Sequence, residues 1–396
     1  MVAPSADSSD AGIDGDTIPA AMTPPDIEDS ERSDVLLPET RPWRRRRRWF
    51  YAGGAVAALL VVAIAAASLI PVSYYTLSPG SVRATKNLLR VEGAPTYDDP
   101  GSISFTTVSL TSATALGVLW GWLDPATDVV EKKAVLGDES PEDNRKRNLE
   151  MMDGSKQVAE YVALRKLGYD VSMSGTGAVV HTVVPGSAAE AVLQPGDVVI
   201  EADGQPISIG DDLVAAISSH RPGERMRLLV EPGSDGPRTV DVELGSHPED
   251  ESLPFLGIAV GTRDRRFHLP FDVTIDSGDV GGPSAGLAFT LAIIDVLTPG
   301  SLTGGKKVAT TGTIDARGNV GNVGGVHQKI VAGNRAGVEL FLVPSDEYEE
   351  ATKWAADGME VVPVNTLDDA LRVLAERGGG AEVIDQRASA AVEAGR

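Results

Sequence analysis

The chain has 396 residues, no cysteine and a formal net charge of −22. Without thiols it can form no disulfide, thiolate zinc site or cysteine nucleophile. The acidic balance argues against a generally nucleic-acid-seeking surface, which needs a basic footprint.

Residues 1–43 are rich in Ser, Pro, Asp and Glu and poor in large apolar residues. They cannot bury a core and are expected to be a disordered acidic tail. Arg44 to Arg48 then abut Trp49 to Ile70, an uncharged and largely apolar stretch of 22 residues. As a helix it would span about 33 Å, enough for the hydrocarbon core of a bilayer. Segment 44–72 therefore reads as an arginine-flanked signal-anchor. The positive-inside rule puts its N-terminus in the cytoplasm and the rest of the chain outside. Ala65-Ala66-Ala67 is the rival signal-peptidase site, but cleavage there would follow a far longer segment than the usual 15–30 residues or so.

Segment 73–170 reads as an accessory extracytoplasmic part with no visible catalytic role. Ser102 to Thr106 alternates as a strand does and Val108 to Leu110 resumes in the opposite phase, which predicts a bulge or break at Thr106-Thr107. Ser140 as cap, Pro141 at the first helical position and the acids Glu142 and Asp143 open a polar helix toward Leu167, with a break allowed near Gly154.

Farther on, Leu193 to Ile207 reads turn, strand, turn, with Gly196 and Gly204 at the turns. Gly282-Pro283-Ser284-Ala285-Gly286 then precedes an apolar helical run from Leu287 to Leu297, and Lys329 lies 45 residues beyond Ser284 on the first turn of another predicted helix. A serine hydroxyl needs a base beside it, and a lysine serves if held neutral by burial, for which Ala285, Val326 and Ile330 are the candidate neighbours. Ser284 and Lys329 are therefore the candidate catalytic pair. The helix start after Ser284 offers backbone N–H groups for an oxyanion. Lys306 and Lys307 are rival bases, read as an exposed loop. No HExxH spacing or histidine cluster suggests a metal, and no cofactor is expected.

Two resemblances sharpen this. Gly282 to Gly286, Thr311-Gly312-Thr313-Ile314, Arg317 to Val320, Gly324 to Lys329 and Ala336 to Pro344 resemble, in order, the motifs of the Lon peptidase proteolytic domain, over 253–376. The resemblance implies a Ser284–Lys329 dyad, with Thr311 as a supporting hydroxyl that orients the amine. His327 replaces the first lysine of the family's Gly-Gly-x-Lys-x-Lys motif. Gly281 stands where ATP-driven Lon enzymes carry an aspartate, and Asp279 is the nearest acid. No ATPase module is visible, and the near-match to a phosphate loop at Gly300 to Lys306 ends in Lys307 where Ser or Thr should stand, so ATP dependence is not carried over. Segment 171–248 resembles a bacterial PDZ domain, whose loop Gly175-Thr176-Gly177-Ala178-Val179 is implied to bind a peptide's terminal carboxylate. The same resemblance implies that Asp211 to Ser219 is a helix forming one wall of a peptide groove. The tail 377–396 is expected to be flexible.

Gly282 to Gly286 also fits the α/β-hydrolase elbow, with Asp315 and His327 completing a triad, but 43 residues from Ser284 to His327 is too short an interval for that fold. An ordinary helix cap at Ser284 with a surface lysine at 329 is the plain structural reading. A non-catalytic membrane-tethered PDZ adaptor is the runner-up from another class. A cytoplasmic DNA-binding factor led by the arginine run fails on the apolar span. The expectation is an α/β (α+β) chain with a single transmembrane helix, a PDZ-like domain and a Lon-type proteolytic domain. It would act as a serine endopeptidase on protein or peptide substrates, without nucleic-acid partners, and the resemblance implies homo-oligomeric rings.

Overall fold

The computed structural model describes residues 43–380 except 233–235 and 249, with the backbone alone for 43–48. The acidic tail, apart from Trp43, and residues 381–396 lie outside the described residues.

Helix α1 (Trp43–Leu69) carries the arginine run and the apolar stretch on one continuous helix. It is the one helix among the described residues long and apolar enough to cross a membrane. Strand β1 (Pro71–Ala84) follows and pairs antiparallel with β2 (Ser102–Thr114). The phase slip expected at Thr106-Thr107 is a bulge, with the extra residue on the partner strand: Pro79 faces Val108 and Val82 faces Thr106. Gly80 allows it, because a Cβ there would lie 2.4 Å from Thr107 Oγ1. Helix α2 (Ala115–Leu123) and strand β3 (Asp128–Glu131) come next, β3 pairing with the other side of β1. Helix α3 (Pro141–Lys166) runs unbroken through Gly154, with Ser140 Oγ accepting from the Asp143 amide at 3.1 Å.

A five-stranded antiparallel path follows, built from β4 (Ala178–Val183), β5 (Val198–Ala202), helix α4 (Gly210–Ser218), β6 (Arg225–Glu231), β7 (Arg238–Glu243) and β8 (Ile258–Thr262). Its order is β7-β6-β5-β4-β8. Leu213, Met226, Leu228 and Val230 are fully buried in a core of its own. Gly196 and Gly204 hold positive φ at the two turns, where other residues would be strained. This module is closed at its neck: Ser172–Ser174, where the chain enters, pairs with Arg266–His268, where it leaves.

The remaining elements are α5 (Gly286–Leu297), β9 (Lys307–Thr310), α6 (Val326–Ala336), β10 (Leu340–Pro344), β11 (Glu360–Val364) and a closing helix, α7 (Leu367–Glu376). Strands from both sides of the inserted module share one sheet, in the order β11-β10-β9-β2-β1-β3, with β9 bridging β2 and β10 in parallel. Segment 73–170, read from sequence as accessory, thus contributes to three of the six strands. The core is likewise shared: Ile103, Phe105 and Met152 bury with Phe289, Leu291 and Leu340, and Phe105 meets Phe289 edge-on at 5.5 Å. Helix α5 is apolar apart from Thr290 and Asp295 and is buried at every residue but Val296, as expected of a central core helix.

Candidate active site

The loop before α5 is held from three directions. The Gly282 amide donates to Asn148 O at 2.7 Å, and Ser155 Oγ donates to Pro283 O at 3.1 Å; both partners lie on α3. The Gly312 amide donates to Ser284 O at 3.0 Å from the third side. Asn148 and Ser155 were invisible as site residues in the sequence, since nothing local links α3 to a loop more than a hundred residues away. Ser284 is half-buried at the entrance to α5. Among the described residues, the Ser284 and Ala285 amides donate no hydrogen bond.

Lys329 sits on the first turn of α6, which opens at Gly325 in the left-handed conformation with φ 70°. The Lys329 side chain enters the interior, leaving the residue 2% exposed, and Val326, Ile330 and Ala285 are buried too. Its Nζ donates to Thr311 Oγ1 at 2.9 Å, and Thr311 Oγ1 donates onward to Ser284 O at 3.4 Å. No direct hydrogen bond joins Lys329 to Ser284 Oγ among the described residues. Burial pushes the Lys329 ammonium down from 10.5 to about 8, against the pull of the Glu347 carboxylate, which works to raise it. Burial in turn pushes Glu347 up, while Glu347 Oε1 accepts from the Val323 amide. Ser284 and Lys329 line one cleft of about 570 Å³, together with Phe105, Val108, Leu110, Asn148 and Pro283.

The hydrolase triad is not assembled. His327 stacks on Trp354 with ring centres 3.6 Å apart, and its Nδ1 lies 3.8 Å from Asp128 rather than near Asp315. Asp315 instead closes its own turn by accepting from the Arg317 and Asn319 amides. At the phosphate-loop near-match, the Gly300 and Gly305 amides already donate to Asp99 and to Ser301. Asp279 is exposed and paired with Arg145 at 3.1 Å. Among the described residues, no group of three or more His, Asp or Glu could hold a metal.

Of the residues expected to bind a carboxylate, Gly175 to Val179, Thr176 and Gly177 have their amides engaged within the module. The Thr176 amide donates to Arg263 O and the Gly177 amide to Ser208 O, so these donors are taken. Ala178 and Val179 begin β4, which is paired on both sides, by β5 and by β8. The edge of the sheet beside α4 is β8. Its partly buried Ile258 and Val260, with Ala216 and Ile217 of α4, pack against the module's core. The signal for this edge was present as Pro254-Phe255-Leu256-Gly257-Ile258, but it fell across the assumed start of the following domain.

Residues 263–377 match the family described as the Lon protease (S16) C-terminal proteolytic domain, and residues 166–244 match the PDZ domain family. The chain carries a Lon-type proteolytic domain and a PDZ domain. The Lon protease of Azospirillum brasilense is 36% identical over 113 residues, which is 28% of this chain and 13% of that protein. The Lon protease of Vibrio parahaemolyticus is 34% identical over 118 residues, or 29% of this chain and 14% of that protein. This chain therefore spans only a small part of the length of these relatives. The crystal structure of the PDZ domain of an SdrC-like protein from Listeria monocytogenes aligns at 24% identity and a TM-score of 0.20, covering 22% of this chain and 87% of that one. Because the Lon-type match begins at 263, it takes in the candidate serine and lysine but none of the strands before the PDZ module.

Proposed function

We propose that the chain is a membrane-anchored serine endopeptidase working through Ser284 and Lys329. The observation that carries this reading is a lysine 2% exposed, held by Thr311 at 2.9 Å and opening on the same cleft as Ser284. Burying an ammonium is costly, so burial favours the neutral amine that a general base requires. Neutral Lys329 takes the proton as Ser284 Oγ forms a bond to the substrate carbonyl carbon. The carbonyl oxygen becomes the oxyanion, and the Ser284 and Ala285 amides are the donors placed to meet it. Collapse of this intermediate breaks the C–N bond, and Lys329 returns the proton to the departing amine. Water, deprotonated by Lys329, then attacks the acyl carbon, the C–Oγ bond breaks, and Lys329 gives the proton back to Ser284 Oγ.

In this account Thr311 is a positioning residue, and Asn148 and Ser155 hold the serine loop from α3. An extended peptide end would add to the β8 edge against α4. Helix α1 anchors the chain with its arginines cytoplasmic and the cleft outside. With no unfoldase in the described residues, flexible segments of proteins are the substrates expected, and no ATP is required. The full chain in detergent micelles should cleave unfolded casein without ATP. Ser284→Ala and Lys329→Met should each abolish cleavage, and His327→Ala should retain it. Cleavage surviving in Ser284→Ala would overturn the proposal. Folded protein that binds peptides but cuts nothing would favour the adaptor instead.

A further inference from the structure

Helix α2 reads Ala-Leu-Gly-Val-Leu-Trp-Gly-Trp-Leu, without one charged residue. A helix of that composition belongs in a core, yet its largest side chains face outward: Leu119 is 52% exposed, Trp120 70%, Trp122 74% and Leu123 70%. The face it does bury is small. Gly121 is buried, and a Cβ there would lie 2.7 Å from Val129 Cγ2. Exposed apolar patches of this kind mark a contact surface.

Its position says what covers it. Strand β1 starts two residues after α1 ends, and Pro71 pairs with Thr114, the cap of α2. The Ala115 amide donates to Ile70 O at 3.1 Å. Helix α2 therefore begins where the chain leaves α1. Tyr74 is partly exposed at the same end and faces Glu131 on β3. Lys132 and Lys133 follow directly on a short helix, with Lys132 Nζ 5.3 Å from the Tyr75 ring centre. The nearest acid after α2, Asp124, is engaged within its own turn, accepting from the Ala126 amide and Thr127 Oγ1. Tryptophan and tyrosine favour the interface between headgroup and acyl chain, and lysines there meet anionic headgroups.

We infer that α2 is an interfacial element that lies in the bilayer surface, with Trp120 and Trp122 among the upper acyl chains and Lys132 and Lys133 on anionic lipid headgroups. The inference rests on reading α1 as a membrane span. It adds a second contact that holds the peptidase against the bilayer. Leu77, Leu110, Val130 and Val135 of this region also line the cleft with Ser284. Leu77 is seven residues beyond Ile70, about 23 Å along an extended strand. The cleft thus works close to the membrane, on segments of chain that emerge from it.

The chain has no cysteine, so single-cysteine variants of the full protein can be labelled cleanly. Trp120→Cys, Trp122→Cys, Val61→Cys in α1 and exposed Glu251→Cys would each carry bimane in vesicles of phosphatidylcholine and phosphatidylglycerol. The lipids would be brominated either near the headgroup or near the acyl-chain end. The inference predicts loss of most fluorescence at 120 and 122 with shallow bromines, loss at 61 with deep ones, and none at 251. Quenching at 61 without quenching at 120 and 122 would overturn the inference and leave the anchor standing. No quenching at 61 would refute the span and the inference with it. Labels at 120 and 122 that escape lipid quenching but become shielded from iodide as protein concentration rises would assign the patch to a second copy and overturn the lipid contact.

Discussion

Replacing Lys329 by Met should make the protein more stable while removing its activity. Lys329 is 2% exposed, and its burial holds the ammonium at about 8 against an ordinary 10.5. That difference corresponds to about 3 kcal/mol of destabilisation wherever folded and unfolded states are both charged. The sign follows from the protons bound. Below about pH 8 both states carry the proton and the penalty is complete. Between about pH 8 and 10.5 the folded state has lost its proton while the unfolded state keeps it, so stability rises with pH. Above that range both states are neutral and the penalty is gone. Methionine fills a similar volume without charge but forfeits the 2.9 Å bond to Thr311, at about 1 kcal/mol. The net gain expected at pH 7 is about 2 kcal/mol, shrinking toward a small loss above pH 10.5. Urea unfolding of wild type and Lys329→Met, followed at pH 7 and near pH 10.5, measures both numbers. A variant less stable than wild type at pH 7 would refute the argument that the amine is held at a cost.

The same lysine sets the pH dependence of cleavage: with the amine neutral in roughly a tenth of molecules at pH 7 and nine tenths at pH 9, kcat/KM should rise about tenfold over that interval. Glu347→Gln removes the charge that raises Lys329, so its pH–rate curve should move to lower pH, and a shift to higher pH would contradict the placement. Gly286→Ala would put a Cβ 2.9 Å from both the Ile314 amide and Ser155 Oγ; overpacking of that kind costs about 1–3 kcal/mol and should lower both Tm and kcat. On the PDZ module, Ile217→Lys should weaken binding of a fluorescent peptide with an apolar C-terminus by about tenfold, the worth of one buried aliphatic contact. Fluorescence anisotropy would read it, and unchanged affinity would move the groove away from α4 and β8.

Much of this chain is legible locally. The α3 cap at Ser140, the turns at Gly196 and Gly204 and the apolar run of α5 all write their conformation into neighbouring residues. What stayed hidden is non-local. Strands β1, β2 and β3 join β9 across the whole PDZ module, and no periodicity in 71–131 announces partners two hundred residues away. The support of the Ser284 loop by Asn148 and Ser155 is hidden for the same reason. Gly175 to Val179 reads locally only as a glycine turn before an apolar strand, which is common to many sheets. Whether its amides are free depends on Arg263 and Ser208, which come later in the chain. Exposed Trp120 and Trp122 were equally unreadable, since an uncharged helix suggests a core until the packing shows otherwise.

In the proposed mechanism Ser284 is a nucleophile made reactive by Lys329. Treating the full chain with an alkyl fluorophosphonate and mapping the adduct by peptide mass spectrometry tests this most directly. One phosphonylated residue is expected, Ser284, with labelling that accelerates between pH 7 and 9 and is lost in Lys329→Met. Labelling of Ser284 at an undiminished rate in Lys329→Met, or an adduct on another serine, would contradict it.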